Sequence, residues 1–399
     1  MSATPRGGRP MARAATKDFG YPFAVSEFKA RLKAVRAGMA AKKIDILLVT
    51  GPENIYYLTG YRTTGYYVYQ ALAVPASGDP QFVVRKLEMS NVQGLSWIKT
   101  GYAVADTESY FEATANCVEK LGGARARIGF DDQGFFLPAS ILDALRARLK
   151  RATFVPAGGV VEQVRLIKSP QEIAYIRKAA QTAVKGLDAG IKAIKPGRTE
   201  NEVAGAIYNA MASAGSEYMG SQPYVVTGPR AALGHATFER QKIKKGHLVF
   251  LEIGGCWFRY GGAIMRTVSV GKPSALLKKA GEAVSGALNA IIDVVRPGIT
   301  SGEVDRAGRA IVEKAGLGKY WVHRTGYSIG VGFPPGWGEG HIMDLKPNDP
   351  RVLKAGMTFH TVPMIGIPGL GAIGTSETWA VTKTGIEVLT KTPRKLIVV

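Results

Sequence analysis

Cysteine is nearly absent: Cys117 and Cys256 are the two in 399 residues. Their separation excludes a disulfide framework, a zinc ribbon and a short-spaced redox pair, and leaves both as small core hydrophobes. Long apolar runs are missing too. Nothing approaches the roughly 18 residues that span a bilayer, and the stretch from Met1 to Asp18 is polar and basic, without a signal-peptide apolar region. The expected protein is therefore cytoplasmic, with no membrane partner. Acidic residues are in deficit, 31 Asp and Glu against 52 Lys and Arg, for a net charge of +21. That excess admits an anionic partner, but the basic residues are scattered, clustering only modestly at 29–43, 146–151 and 242–245. No nucleic-acid motif accompanies them, so nucleic acid is not an expected partner.

With 46% apolar residues the chain exceeds the about 250–300 residues at which single cores stop growing, so two domains are expected. A basic tail over 1–20 precedes an α/β domain over 21–163. In that domain Glu27 to Ala41 reads as an amphipathic helix and Ile44 to Thr50 as a buried strand, with a turn after it at Gly51-Pro52. Ser77-Gly78-Asp79-Pro80 reads as the turn of a hairpin between Ala71 to Pro75 and Gln81 to Arg85. Strands at Arg127 to Phe130 and Thr153 to Val155 bracket a helix near Ala139 to Lys150.

Residues 164–399 open with Ser169-Pro170-Gln171-Glu172, a capping box with proline at the first helical position. A long amphipathic helix ends at Lys195-Pro196-Gly197, and Thr199 caps a second one through Val203, Ile207 and Met211. The same pattern returns about one hundred residues later: a helix through Leu277, Val284 and Ile291 ends at Arg296-Pro297-Gly298, and Thr300 caps another through Val304. Each helix pair is followed by Gly-rich strand-like segments, Tyr224 to Thr227 and Leu248 to Val270, then Met357 to Pro363 and Glu377 to Leu389. The repeat implies an internal duplication, two helix–sheet halves with a ligand cleft between them.

Polar side chains inside these apolar strands carry the functional signal, because a buried charge is costly unless paired or used. Glu252, in Leu251-Glu252-Ile253-Gly254-Gly255, and Glu377, in Ser376-Glu377-Thr378-Trp379, have parallel settings that favour a shared site over two salt-bridged strand residues. His235 lies just before the Glu252 strand and titrates near neutral pH when unperturbed, which makes it a proton-transfer candidate. His360 is flanked by apolar strand residues, as a buried donor or a satisfied core histidine would be. The run Arg324 to Glu339 lacks the spacing and lysine of a phosphate loop; its glycines let backbone approach a ligand, and Tyr327 offers a phenolic donor.

On these motifs the second half resembles the pita-bread catalytic domain of creatinases, prolidases and methionine aminopeptidases, and the first half resembles the accessory domain of the longer members. The resemblance implies an α/β N-terminal domain followed by an α+β domain with pseudo-two-fold duplication. Metallopeptidases of this fold hold two metal ions with two Asp, one His and two Glu. Here the first Asp position is Glu252, the second is Ala263, the His of Gly-His-x-x-Gly is Tyr327, the Glu of Thr-Ile-Glu-Pro-Gly is Val362, and Glu377 alone stands as in the family. Ala, Val and Tyr are poor ligands for divalent ions, so neither a dinuclear centre nor any other cofactor is expected.

Creatinase, which resembles this chain, hydrolyses a C–N bond without metal. A closer likeness is to ectoine hydrolases, through Asn54-Ile55-Tyr56-Tyr57-Leu58-Thr59-Gly60-Tyr61, Arg259-Tyr260, Arg266-Thr267-Val268, Gly326-Tyr327-Ser328-Ile329-Gly330 and Gly356-Met357-Thr358-Phe359-His360. The expected activity is hydrolysis of a C–N bond in a small cyclic amidine, amide or related zwitterion. Glu252 acts as base or cation partner, His235 as proton shuttle and Glu377 as second acid or anchor. Tyr327 and His360 donate to a developing oxyanion, and Arg266 and Tyr260 contact substrate. The resemblance also implies a homodimer in which Tyr66 or Tyr67 enters the partner's cleft. Two rivals are an Xaa-Pro peptidase keeping one metal on Glu252 and Glu377, and a non-catalytic binding protein.

Overall fold

The computed structural model describes Arg9–Pro10 and residues 20–399; apart from these, the expected basic tail lies outside the described residues. Contacts divide the chain into two units, Met1–Arg165 and Leu166–Val399.

In the first unit, the apolar run at Ile46–Val49 is fully buried. It pairs parallel with Arg127–Phe130 on one side and antiparallel with Ala71–Pro75 on the other. The sheet continues through Gln81–Arg85, Gly101–Val104 and Arg9–Pro10 at one edge and ends at Thr153–Pro156 at the other. Asp45, the residue just before the central strand, is exposed and accepts the Arg127 amide at 2.7 Å, so it is not a stranded buried charge. Gly51-Pro52 does more than turn the chain. With Pro52 at the first helical position it opens a short helix, Pro52–Thr59, where the local sequence predicts only a turn.

In the second unit the repeat is visible down to individual hydrogen bonds. Ser169, Thr199 and Thr300 each close a capping box with Glu172, Glu202 and Glu303, starting helices Pro170–Ala193, Glu200–Ser213 and Ser301–Lys314. The fourth helix, Ala275–Val294, is capped by Ser274. After each Pro-Gly turn the chain bonds to the segment leading into its own sheet. Gly197 N–H donates to the Ile243 carbonyl at 2.9 Å and Gly298 N–H to that of Leu353 at 2.9 Å, while the amides of Ile243 and Leu353 return bonds to Arg198 and Ile299. Both glycines have left-handed φ, +90° and +94°, which favours that residue there.

The first helix pair covers a sheet ordered Ile397–Val398, Tyr260–Ser269, Leu248–Trp257, Tyr224–Thr227. Leu187, Ile207, Leu251 and Ile264 are buried together beneath it. The second half has a five-stranded sheet through Gly326–Ser328, Thr358–Thr361 and Glu377–Val381. Hydroxyl side chains stitch the two sheets: Thr378 Oγ1 bonds both the amide and the carbonyl of Ala263, and Ser376 Oγ accepts the Met265 amide. The segment Leu248 to Val270, strand-like by its sequence pattern, is a pair of ten-residue strands forming a hairpin that turns at Phe258 and Arg259.

Candidate active site

Glu252 stands in the middle of the Leu248–Trp257 strand, opposite Met265 on one side and Tyr224 on the other. Its side chain is half-buried, and among the described residues nothing hydrogen-bonds or ion-pairs with the carboxylate. Wrapped in protein without a counter-charge, the carboxyl is pushed up to about 7 by loss of solvation. It is thus poised to exchange a proton near neutrality.

Tyr327 faces this acid. Burial and the negative charge of Glu252 hold its phenol well above the ordinary tyrosine range, so it is protonated at neutral pH. Its oxygen accepts the Trp337 indole N–H at 2.9 Å and lies 2.9 Å from His360 Nδ1. His360 Nε2 is in turn 2.7 Å from Ser376 Oγ. Burial, with help from the Arg266 charge, lowers His360 to about 3, so this imidazole is neutral throughout the physiological range. Tyr224, Trp337 and Tyr327 pack around Ala263 and Ile329. Tyr224 and Tyr327 also touch the cluster that holds Val362.

Of the other expected residues, His235 is exposed, with its ring 6.2 Å from that of Tyr224, at the rim of the Glu252 site. The segment carrying it is pinned at both ends by buried Glu200, which accepts the amides of Thr227 and Glu239 and pairs with Arg230 at 2.9 Å. Four expectations need correction. His360 does not itself donate to a developing oxyanion, because its Nδ1 lies on the Tyr327 oxygen and its Nε2 on Ser376 Oγ. Arg266 is completely buried, and all its donors are directed to protein: Glu377 at 2.7 Å, the carbonyls of Met265, Ser376 and Pro393, and Thr392. No N–H remains for a substrate carboxylate. Glu377, its partner, is equally buried and also accepts from Thr390 and Arg394, so it is a structural counter-ion and not a free acid. Tyr260 is fully buried with its hydroxyl on Glu172 at 2.8 Å, and it braces the first helix of the unit instead of contacting a ligand. Tyr66 and Tyr67 belong to the first unit, where Tyr67 is 80% exposed.

Sequence reasoning missed Tyr224, Trp337 and Ser376. Trp337 had a usable signal, a large aromatic in a Gly-rich run. Tyr224 and Ser376 had none short of strand register.

The five family ligand positions do not make a metal site here. Ala263 and Val362 are packed apolar groups, the Tyr327 oxygen and both His360 nitrogens are engaged with each other and with neighbours, and Glu377 is neutralised by Arg266. Among the described residues no three His, Cys, Asp or Glu side chains gather as an ion would require. Nor, among them, is any helix long and apolar enough to cross a membrane.

Ectoine hydrolase of Halomonas elongata is 29% identical over 396 residues, covering 94% of this chain and 98% of the relative. An Xaa-Pro dipeptidase of Pyrococcus horikoshii is 29% identical over 373 residues, covering 92% and 98%. The crystal structure of dipeptidase PepE from Mycobacterium ulcerans superposes with a TM-score of 0.81 at 29% identity, covering 94% of this chain and 99% of that one. The creatinase/prolidase N-terminal domain matches residues 31–167, and the metallopeptidase family M24 matches residues 174–383. With that match, a pita-bread second unit and hydrolases among its relatives, the chain belongs to metallopeptidase family M24.

Proposed function

We propose that the protein is a metal-independent hydrolase of a C–N bond in a small cyclic amidine, amide or related zwitterion. The observation that carries this reading is a half-buried Glu252 carboxyl, with no hydrogen-bond or ion-pair partner among the described residues, poised near pH 7 beside a protonated phenol, in place of a ligand set for metal. As the oxygen of a water adds to the substrate's carbon, Glu252 takes a proton from it. When the C–N bond breaks, the same proton goes to the leaving nitrogen. Tyr327 donates a hydrogen bond to the oxygen on the tetrahedral carbon, a contribution worth about 3 kcal/mol for a well-placed donor. The ionised form of Glu252 would also attract an amidinium group, and exposed His235 exchanges protons between the site and solvent. Arg266 and Glu377 hold the seam between the two sheets. We further place the active protein as a homodimer, with Tyr66 and Tyr67 offered to a partner copy.

The Xaa-Pro dipeptidase reading is kept because a relative of that name is as similar as ectoine hydrolase. A turnover screen by mass spectrometry over ectoine, hydroxyectoine, creatine, related amides and amidines, and Xaa-Pro dipeptides, run before and after chelation, separates the two. Chelator-resistant opening of a small cyclic compound is the expected result. Stoichiometric zinc or manganese with chelator-sensitive dipeptide cleavage would replace this proposal with the peptidase.

A further inference from the structure

The hydrogen-bond chain behind Tyr327 contains enough constraints to place its protons. His360 is neutral and therefore carries one N–H, on either Nδ1 or Nε2. The decision falls at Ser376. Its side chain is fully buried, its oxygen accepts the Met265 amide at 2.6 Å, and its hydroxyl proton has one acceptor among the described residues, His360 Nε2 at 2.7 Å. Were Nε2 protonated, the serine proton would be buried with nothing to accept it, a bias against that tautomer on the order of ten-fold or more. Nε2 is therefore the acceptor and Nδ1 the donor. The Nδ1–H then points at the Tyr327 oxygen, which already accepts the Trp337 N–H at 2.9 Å. With two N–H groups on its oxygen, the phenol's own proton has no protein acceptor among the described residues, and it is left for whatever binds beside Glu252.

We propose that Ser376 and Trp337 are positioning residues: Ser376 fixes the Nδ1–H tautomer of His360, and His360 and Trp337 together turn the Tyr327 hydroxyl out toward substrate. Two N–H donors on one oxygen also stabilise negative charge developing there as the phenol's hydrogen bond to substrate tightens. The opposite tautomer would aim the phenol proton at His360 and away from the reacting carbon. The proposal rests on the reading of Tyr327 as the donor to substrate, and its first test does not need the substrate.

The full chain labelled with ¹⁵N-histidine is examined by long-range ¹H–¹⁵N correlation, with a His360→Gln variant assigning the signal among five histidines. The expected pattern is a protonated Nδ1 and a bare Nε2 from pH 5 to 9; a protonated Nε2 overturns the proposal whatever the enzyme acts on. In Ser376→Ala the Nδ1–H preference should weaken and kcat on the screened substrate should fall at least ten-fold, with KM within about three-fold. An unchanged tautomer and an unchanged kcat in that variant sink the assignment of Ser376. If the wild-type tautomer is as expected but Tyr327→Phe retains full kcat, the positioning role and the proposed action of Tyr327 both fail, while hydrolysis based on Glu252 survives.

Discussion

At the scale of single residues, Glu252 sets stability and activity against each other. Its folded-state pKa of about 7 lies above its ordinary value of 4.5. Between those two pH values the folded chain holds more protons than the unfolded one, so stability is full below about 4.5 and is lost as pH rises through 7. The loss approaches about 2–3 kcal/mol: each pH unit between the two values contributes roughly 1.4 kcal/mol, with some relief from the side chain's remaining access to water. Glu252→Gln removes the titration. It should match the wild type in urea unfolding near pH 4.5, exceed it by about 2 kcal/mol at pH 8, and lose on the order of 10²–10⁴ in kcat. In the wild type the base form accumulates with pH, so kcat/KM should rise through an apparent pKa near 7. A flat profile from pH 5 to 8 would remove Glu252 from the base role. Gly254, two residues on, is fixed by a different constraint: a Cβ there would overlap Cε3 of Trp337. A retreat of the indole shifts the N–H that the Tyr327 oxygen accepts, so Gly254→Ala should cost about 1–3 kcal/mol and at least ten-fold in kcat. Thermal unfolding and steady-state kinetics on one preparation test both.

At the scale of elements, the His235 segment shows how a loop is held without regular structure. Buried Glu200, near the start of its helix, accepts the Thr227 and Glu239 amides and the Arg230 guanidinium, closing the eleven-residue excursion between the two amides. Glu200→Gln leaves Arg230 facing a neutral amide that cannot accept all these bonds. It should destabilise the protein by about 3 kcal/mol and speed amide exchange across 228–239 in hydrogen–deuterium exchange, with the first unit unaffected. Glu200 was invisible as a site residue because in sequence it reads simply as first-turn acid of a capped helix. The capped helices themselves were legible, since Ser169, Thr199 and Thr300 announce their boundaries through local chemistry. The Phe258-Arg259 turn was not. Neither residue is a turn former, yet both have left-handed φ, +47° and +61°. Glu217 accepts both amides, and the Arg259 guanidinium lies 3.9 Å above the Tyr218 ring. Tertiary partners stabilise a conformation that local preference disfavours. The same distinction explains the site. Glu252 and His360 stood out as polar residues in apolar strands and Tyr327 as a phenol in a Gly-rich run, whereas the burial of Arg266 against Glu377 depends on cross-sheet register that no local pattern carries.

At the scale of the whole molecule, a net charge of +21 and an exposed aromatic surface make opposite demands on self-association. Two copies repel each other over the Debye length, about 10 Å at 0.1 M salt. Yet the first unit presents Tyr67, Phe135 and Leu87 at 80%, 72% and 66% exposure. Phe135 rests on Phe136 at 4.5 Å, and Phe136 meets Tyr66 at 6.0 Å, so Tyr66 and both phenylalanines belong to one surface. Exposed aromatic area of this kind is what a protein partner removes from water. If the proposed homodimer buries it, attraction is apolar and insensitive to salt, while the opposing repulsion is screened by salt. The dimer should therefore tighten as ionic strength rises. Sedimentation equilibrium at 50 and 500 mM sodium chloride should show at least a three-fold lower Kd at the higher salt, and Tyr67→Ser with Phe135→Ser should weaken association at both by ten-fold or more. An interface built from ion pairs would give the reverse salt dependence and ignore the double substitution. That result would move the contact to another face of the molecule and leave Tyr66 and Tyr67 without the partner proposed for them.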